Sequence, residues 1–342
     1  MRRDTRLSDL PEGEILRRIF PRLPESDSTL LGPGDDAAVI AAPDGRFVVT
    51  TDMMVHGPDF RLEWSTPYEL GYKAAASNLA DVAAMGAKPS ALVVALAVPG
   101  DTPMSTLEQL ADGLREACEF LAPGCGVVGG DLSASDTFTI AVTAFGDLDG
   151  RKPLTRAGAR VGDVVALAGE PGWSSLGLAL LFAQGTSEID GERVPNARLM
   201  KKIRDELPNL IGRHLAPAPP VSLGVVAAQA GATACMDVSD SLTLDASRMA
   251  EASSVAIDFD HLVLDGFAAE LSQAYGVELE VSRRAVLHGG EDHCLLACFP
   301  PGGVLPAGFT RVGTVIAGRT ALDRVLLRGE SIEPIGWNPY AQ

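Results

Sequence analysis

Several features are scarce in this chain. Aromatic residues fill only 5% of its 342 positions, which argues against an aromatic-rich sandwich. Lysine and arginine number 28 against 45 aspartates and glutamates, a formal charge of −17. So acidic a chain argues against nucleic acid and anionic membrane surfaces as main partners. No run of about eighteen apolar residues occurs, so no membrane-spanning helix is expected. No apolar segment follows the charged residues 1–5, and a signal peptide is likewise not expected. The cysteines are Cys118, Cys125, Cys235, Cys294 and Cys298, an odd number without framework spacing. They read as reduced thiols of a cytoplasmic protein. His293, Cys294 and Cys298 suggest a soft-metal site, but their apolar, strand-like setting reads as core. The P-loop pattern G-x-x-x-x-G-K-[ST] is absent, which excludes a P-loop kinase.

What is present points to helices packed closely on sheets. Hydrophobic residues make up 46% of the chain and glycine supplies 36 positions. A helix is expected over residues 6–24, bounded by Pro21 and Pro24. A glycine-rich turn at 32–36 leads into an apolar run at 37–42, and a short strand at 47–51 ends in Asp52. Thr66-Pro67-Tyr68-Glu69 combines an N-cap, a first-turn proline and a capping box. The helix it starts runs through Asn78 and Asp81 to Met85, where Gly86 stops it. A strand at 91–98, a helix at 105–121 and strands at 127–128 and 138–145 complete the first half. Turn formers and basic residues at 146–160 mark the boundary. Beyond it come a strand at 163–168, a helix at 174–184, a break at 216–220 and further alternation to about 328. The pattern describes two α/β or α+β halves.

Aspartates carry the functional signal. Asp35 and Asp36 follow Gly34, Asp52 follows Thr50-Thr51, and Asp131 follows Gly129-Gly130. Asp237 and Asp240 flank Ser239. Each stands where a strand-like run or glycine turn ends, a place where aspartate often only caps a turn. Asp240 in particular reads equally as the cap of the following helix. Asp81 is different: it lies late in its helix, where the dipole disfavours a carboxylate by about 0.3–1 kcal/mol. Ser77 and Asn78 share its face. A polar strip in so alanine-rich a helix suggests ligands directed at a cation. Magnesium takes carboxylate oxygens and leaves positions for phosphate oxygens, which explains how an acidic chain binds ATP. Gly32-x-Gly34-x-x-Ala37 fits a dinucleotide fingerprint, but two aspartates would face the pyrophosphate and a strand-like run follows, so that reading is rejected. Arg156 is a candidate phosphate contact, or equally a solvated surface arginine.

Taken in order, these residues resemble the thiamine-monophosphate kinase family. The matching stretches are Gly34-Asp35-Asp36-Ala37-Ala38, Thr50-Thr51-Asp52-Met53-Met54-Val55 and Asn78-Leu79-Ala80-Asp81-Val82-Ala83-Ala84-Met85-Gly86-Ala87. They continue with Gly129-Gly130-Asp131, Leu154-Thr155-Arg156, Asp237-Val238-Ser239-Asp240 and Gly289-Gly290-Glu291-Asp292. The resemblance implies the two-domain α/β and α+β fold of the aminoimidazole ribonucleotide synthetase-like superfamily. Residues 1–148 would bind ATP and metal and pair as a homodimer, their sheet forming a barrel at the interface. Residues 149–342 would form an α+β domain. The implied activity is transfer of the γ-phosphate of ATP to thiamine monophosphate, with Mg²⁺, giving thiamine diphosphate.

Carried over residue by residue, the resemblance implies metal ligation by Asp36, Thr50, Thr51, Asp52, Asp81, Asp131, Asp237 and Asp240. Asp81, Asp131 and Asp240 are the candidates for indispensable catalytic ligands. Gly130, Asp131, Arg156 and Ser239 would contact the nucleotide. Glu291 and Trp337 would border the thiamine moiety, as would position 59. The chain departs from the family pattern there, with Asp59 where histidine is usual. It also has Ser241 for glycine, Glu291-Asp292-His293-Cys294 for E-D-Y-E, and Gly336-Trp337-Asn338-Pro339-Tyr340 for G-[YW]-D-H-F. These departures leave two alternatives open: another ATP-dependent enzyme of the superfamily, or a non-catalytic ATP-binding regulator. Selenophosphate synthetase is disfavoured because no reactive cysteine or glycine-rich segment precedes Gly32. The hydrogenase-maturation relative is disfavoured because no cysteine ends the tail.

Overall fold

The computed structural model describes residues 5–32, 38–318 and 323–337. Asp35, Asp36 and the stretch from Asn338 onward lie outside them. In chain order the elements are α1 (Glu12–Ile19), β1 (Thr29–Leu31), β2 (Val39–Ile40), β3 (Val48–Val55), α2 (Pro67–Ala84), β4 (Lys88–Val98), α3 (Met104–Leu121), β5 (Gly126–Ala134) and β6 (Thr139–Asp147). There follow β7 (Val164–Ala168), α4 (Trp173–Gln184), β8 (Thr186–Ile189), β9 (Glu192–Pro195), α5 (Ala197–Glu206), α6 (Pro208–Leu215) and α7 (Ser222–Gln229). The last are β10 (Ala234–Val238), α8 (Leu242–Ser253), β11 (Ala256–Phe259), α9 (His261–Tyr275), α10 (Leu279–His288), β12 (Cys294–Phe299), β13 (Thr310–Ile316), β14 (Val325–Leu327) and β15 (Glu330–Ser331). Two units form: residues 1–82, 88–149 and 181–206 make the first, and 83–87, 150–180 and 207–342 the second.

In the first unit a four-stranded sheet runs β3-β6-β4-β5. Its one parallel pair, β4 with β5, is joined by the crossover helix α3. Burial follows the period of two. Ile140, Val142 and Ala144 of β6 are buried, while the residues between them are only half-buried. The other face is open: Phe47 is 48%, Val49 57% and Met53 63% exposed. On the covered side the backbones of α2 and α3 touch. A Cβ on Gly71 would lie 2.0 Å from the Leu110 carbonyl oxygen, and one on Gly113 would lie 1.9 Å from that of Tyr68. Only glycine permits that approach, and the alanines of α2 fill the narrow space around it.

The capping box forms as expected. Thr66 N donates to Glu69 Oε2 at 2.8 Å, and Glu69 N to Thr66 Oγ1 at 3.3 Å. Gly86 ends the turn beyond α2 with φ of 70°. Three expectations need correction. The helix expected over 6–24 is split: 3-10 turns at Leu7–Asp9 and Phe20–Arg22 flank α1, because Pro11 and Pro21 interrupt the backbone ladder. Asp52 does not end its strand, since β3 continues to Val55. Asp131 lies inside β5, and Gly129-Gly130 is no turn. A Cβ on Gly130 would sit 2.0 Å from the Val94 carbonyl oxygen, so glycine here serves a close strand approach.

The second unit holds a seven-stranded sheet in the order β10-β12-β7-β13-β11-β14-β15. All pairs are antiparallel except β11 with β14. Val165, Met236, Ile257, Leu296 and Val325 from its strands share one core with Ala246 and Met249 of α8. Both sheets are open, and no closed barrel occurs among the described residues. The end of β10 and the start of β12 lie side by side, which sets the loops at 239–241 and 289–293 against each other.

Candidate active site

In the first unit, β3 and α2 bring the predicted oxygen donors together. Thr50 Oγ1 lies 3.0 Å from Asp81 Oδ2. Buried Asn78 accepts from the Asp52 backbone N–H at 3.1 Å and donates to the Ala74 carbonyl at 2.9 Å. The late-helix strip of α2 thus fastens to the strand that carries Thr50 and Asp52. Thr51 points to the other face, donating to the Val142 carbonyl at 2.9 Å with Thr143 Oγ1 at 3.2 Å.

Asp131 stands apart. It lies on β5, the opposite edge of the sheet from β3, three strand spacings or roughly 14 Å away from Asp52's strand. Asp52 pairs with Val142, whereas Asp131 pairs with Ala95, itself opposite Ala141, so the two carboxylates face opposite sides. Asp131 is exposed and accepts from Ser133 Oγ at 3.1 Å. Asp59, the predicted acceptor contact, closes its own turn by accepting from Val55 N at 2.7 Å.

The second unit builds a more elaborate arrangement at the ends of β10 and β12. Asp237 is buried, with His293 Nδ1 3.3 Å from its Oδ2. The following loop is organised by Asp245, a residue sequence reasoning missed. Asp245 Oδ2 accepts from the backbone N–H groups of Ser239, Asp240 and Ser241 at 3.1, 3.0 and 3.2 Å. Arg248 bridges Asp245 Oδ1 at 2.6 Å and Asp240 Oδ2. Burial pushes the Asp245 carboxyl up from its ordinary value, against the pull of those N–H groups and the Arg248 charge. An acid in a first helical turn ordinarily reads as dipole compensation, so its spacing from Ser241 and Arg248 gave no distinct signal. Asp240 does not cap α8, as one reading allowed; the cap is Ser241, which accepts from Leu244 N.

The loop at 289–293 locks onto this turn. Glu291 N donates to the Ser239 carbonyl at 2.8 Å and His293 N to that of Val238 at 3.1 Å. A Cβ on Gly290 would lie 2.4 Å from the Ser239 carbonyl oxygen. Glu291 adopts φ of 64° and His293 of 51°, conformations that a non-glycine residue holds only when its surroundings impose them. His214 Nδ1 lies 3.3 Å from Glu291 Oε2 and 3.0 Å from Ser174 Oγ. Asp292 accepts from Gly172 N and Ser174 N, both at 2.7 Å, at the start of α4. Burial pushes its carboxyl up to about 7 even against those two donors. Trp337 is 54% exposed and its backbone N–H donates to the Asp240 carbonyl at 3.2 Å. Arg156 is exposed in a 3-10 turn, its carbonyl held by Ser253 Oγ at 2.7 Å.

The donors at these positions are carboxylates and hydroxyls, the chemistry of a hard cation. Among the described residues no group of three or more His, Cys, Asp or Glu side chains converges. Sites of one or two carboxylates fit magnesium, which keeps waters and takes phosphate oxygens for the remainder. All five cysteines are buried free thiols, and Cys294 and Cys298 lie in the wholly buried strand β12.

Comparison with known proteins sets this geometry in a class. Residues 34–148 match the family model described as AIR synthase related protein, N-terminal domain, and the chain has the α/β fold of that class. The thiamine-monophosphate kinase of Mycobacterium tuberculosis is 41% identical over 335 residues, 98% of this chain and 91% of that protein. The one from Corynebacterium glutamicum is 39% identical over 92% of this chain and 88% of that protein. A solved structure described as AaThiL complexed with AMPPCP and TMP superimposes with a TM-score of 0.71 at 30% identity, covering 97% of this chain and 98% of that one. The chain belongs to the thiamine-monophosphate kinase family.

Proposed function

We propose that this protein phosphorylates thiamine monophosphate to thiamine diphosphate, with ATP as phosphate donor, by direct in-line transfer. The observation that carries the reading is 41% identity to such a kinase across 98% of the chain, so that the relationship spans both units. The attacking group is a phosphate oxygen of the acceptor, already ionised near neutral pH, and no strong general base is required. Catalysis then rests on positioning and on charge stabilisation.

Asp36, Thr50, Thr51, Asp52, Asp81, Asp131, Asp237 and Asp240 would hold Mg²⁺, with Asp81, Asp131 and Asp240 indispensable. When bound, the metal neutralises charge on the transferring phosphoryl group. Gly130, Asp131, Arg156 and Ser239 contact the nucleotide; the Asp245-ordered backbone presents Ser239 and Asp240 without reorganisation. Glu291, Trp337 and Asp59 border the acceptor, with Trp337 stacking on an aromatic ring of thiamine.

The domain expected at residues 1–148 carries the ATP and metal groups and pairs as a homodimer. The open sheet face with Phe47, Val49 and Met53 supports that reading, since two copies would cover it and close a barrel-like interface. A cytoplasmic location agrees with five reduced thiols. The test is incubation of the purified protein with ATP, Mg²⁺ and thiamine monophosphate, with thiamine diphosphate read by thiochrome fluorescence after separation. Product at a rate dependent on protein is the expected result. Tight ATP binding without product would overturn the reading in favour of a regulator or of another acceptor.

A further inference from the structure

Ser241 stands where the family pattern has glycine, yet the backbone does not need glycine there: its φ of 174° is extended. The hydroxyl is fully buried and, besides lying 3.4 Å from Thr243 Oγ1, makes two bonds to backbone. It accepts from Leu244 N at 3.0 Å, capping α8, and donates to the Ile335 carbonyl at 2.5 Å. Thr243, also fully buried, places Oγ1 3.2 Å from the same carbonyl and 3.4 Å from the Ile335 N–H. His288 Nδ1 lies 3.0 Å from Thr243 Oγ1, and its ring also bonds the Ile335 backbone. The tail then runs flat over the first turn of α8. A Cβ on Gly336 would meet Leu244 Cδ2 at 2.7 Å, and Trp337 N donates to the Asp240 carbonyl at 3.2 Å.

The geometry points to Ser241 and Thr243 as positioning residues: their paired hydroxyls clasp Ile335 and thereby set where Trp337 meets the acceptor. Asp240 belongs to the proposed metal and nucleotide loop, and Trp337 to the proposed acceptor contact. One short segment, 240–244, therefore holds both. A glycine at 241 would cap α8 nearly as well but would leave the tail tied through Thr243, His288 and the Trp337 amide, without the Ser241 bond. A fully buried hydroxyl that caps a helix through its oxygen must still place its O–H, and both Ser241 and Thr243 place theirs on the Ile335 carbonyl. This role rests on the acceptor reading given above, in which Trp337 borders thiamine.

The test compares Ser241→Ala, Thr243→Val and wild type in steady-state kinetics and in backbone hydrogen exchange of residues 330–337. Loss of one such bond predicts a rise of about fivefold in KM for thiamine monophosphate in each variant, with KM for ATP within about twofold of wild type. Amide exchange at Ile335 and Trp337 should accelerate by a similar factor. In a Trp337→Ala background, Ser241→Ala should raise that KM no further, because its effect passes through Trp337. A cap serving stability alone would lower the melting temperature and leave both KM values in place, and Thr243→Val, which retains the Ser241 bond to Leu244 N, separates the two. Unchanged KM for thiamine monophosphate in both variants, with wild type active, overturns the clasp. If wild type makes no thiamine diphosphate, the functional reading fails instead; unaltered exchange at Ile335 and Trp337 would then overturn the clasp independently.

Discussion

Replacing Asp245 with alanine removes the acceptor on which three consecutive backbone N–H groups converge. Ser241 is fully buried, so its N–H, 3.2 Å from the carboxylate, finds no water in the variant. An orphaned buried donor costs about 1–3 kcal/mol. Ser239 and Asp240 are half-buried, and water recovers part of their loss, leaving roughly 0.5 kcal/mol each. Arg248 keeps Asp240 as a partner. The sum is on the order of 3 kcal/mol. Urea denaturation followed by circular dichroism reads this directly, and Asp245→Asn, which keeps one acceptor oxygen, should lose less. The same loop presents Ser239, so KM for ATP should rise in the alanine variant. A loss below about 1 kcal/mol, with KM for ATP unmoved, would refute the argument that this carboxylate organises the loop.

Asp81→Ala should abolish turnover while leaving the fold intact by circular dichroism, since Asp81 is half-buried and bonds Thr50 across a polar strip; substantial remaining turnover would sink the proposed mechanism. Arg204 bonds both oxygens of Glu69 at 2.7 and 2.9 Å and the Trp64 carbonyl at 3.1 Å, fastening α5 to the capping box of α2. Arg204→Ala should therefore destabilise by about 1–2 kcal/mol in thermal unfolding. Asp292 titrates in the folded state at about 7 against an ordinary 3.8. Between those values the folded chain holds a proton that the unfolded chain has released. Its contribution to stability is thus present at low pH and is lost as pH rises towards 7. Melting temperature against pH should fall less steeply across that window in Asp292→Asn, and identical slopes would contradict the assignment.

Local rules made much of the fold legible. The Thr66–Glu69 capping box, the stop at Gly86 and the alternation in β6 stand where pattern places them, because each depends on neighbours within a few positions. Tertiary packing decided the rest. Gly129-Gly130 resembles a turn, yet β4 draws so close at Val94 that glycine is required inside a strand. Asp52 resembles a strand end, yet Asn78 of α2 supports its backbone in mid-strand. Among candidate site residues, Asp81 was legible because a late-helix carboxylate opposes the dipole. Asp245, Arg248 and His214 were not, because their partners lie across a loop or on another element. The clasp on Ile335 joins positions 92 and 94 residues apart, a separation that no local pattern encodes.

The most direct test follows a single turnover with ATP labelled in its γ-phosphate, Mg²⁺ and thiamine monophosphate. In-line transfer predicts that label leaves ATP and appears in thiamine diphosphate with matching rates, none being retained on the protein. Label released as inorganic phosphate, or held covalently by the chain, with no labelled thiamine diphosphate, would contradict the account.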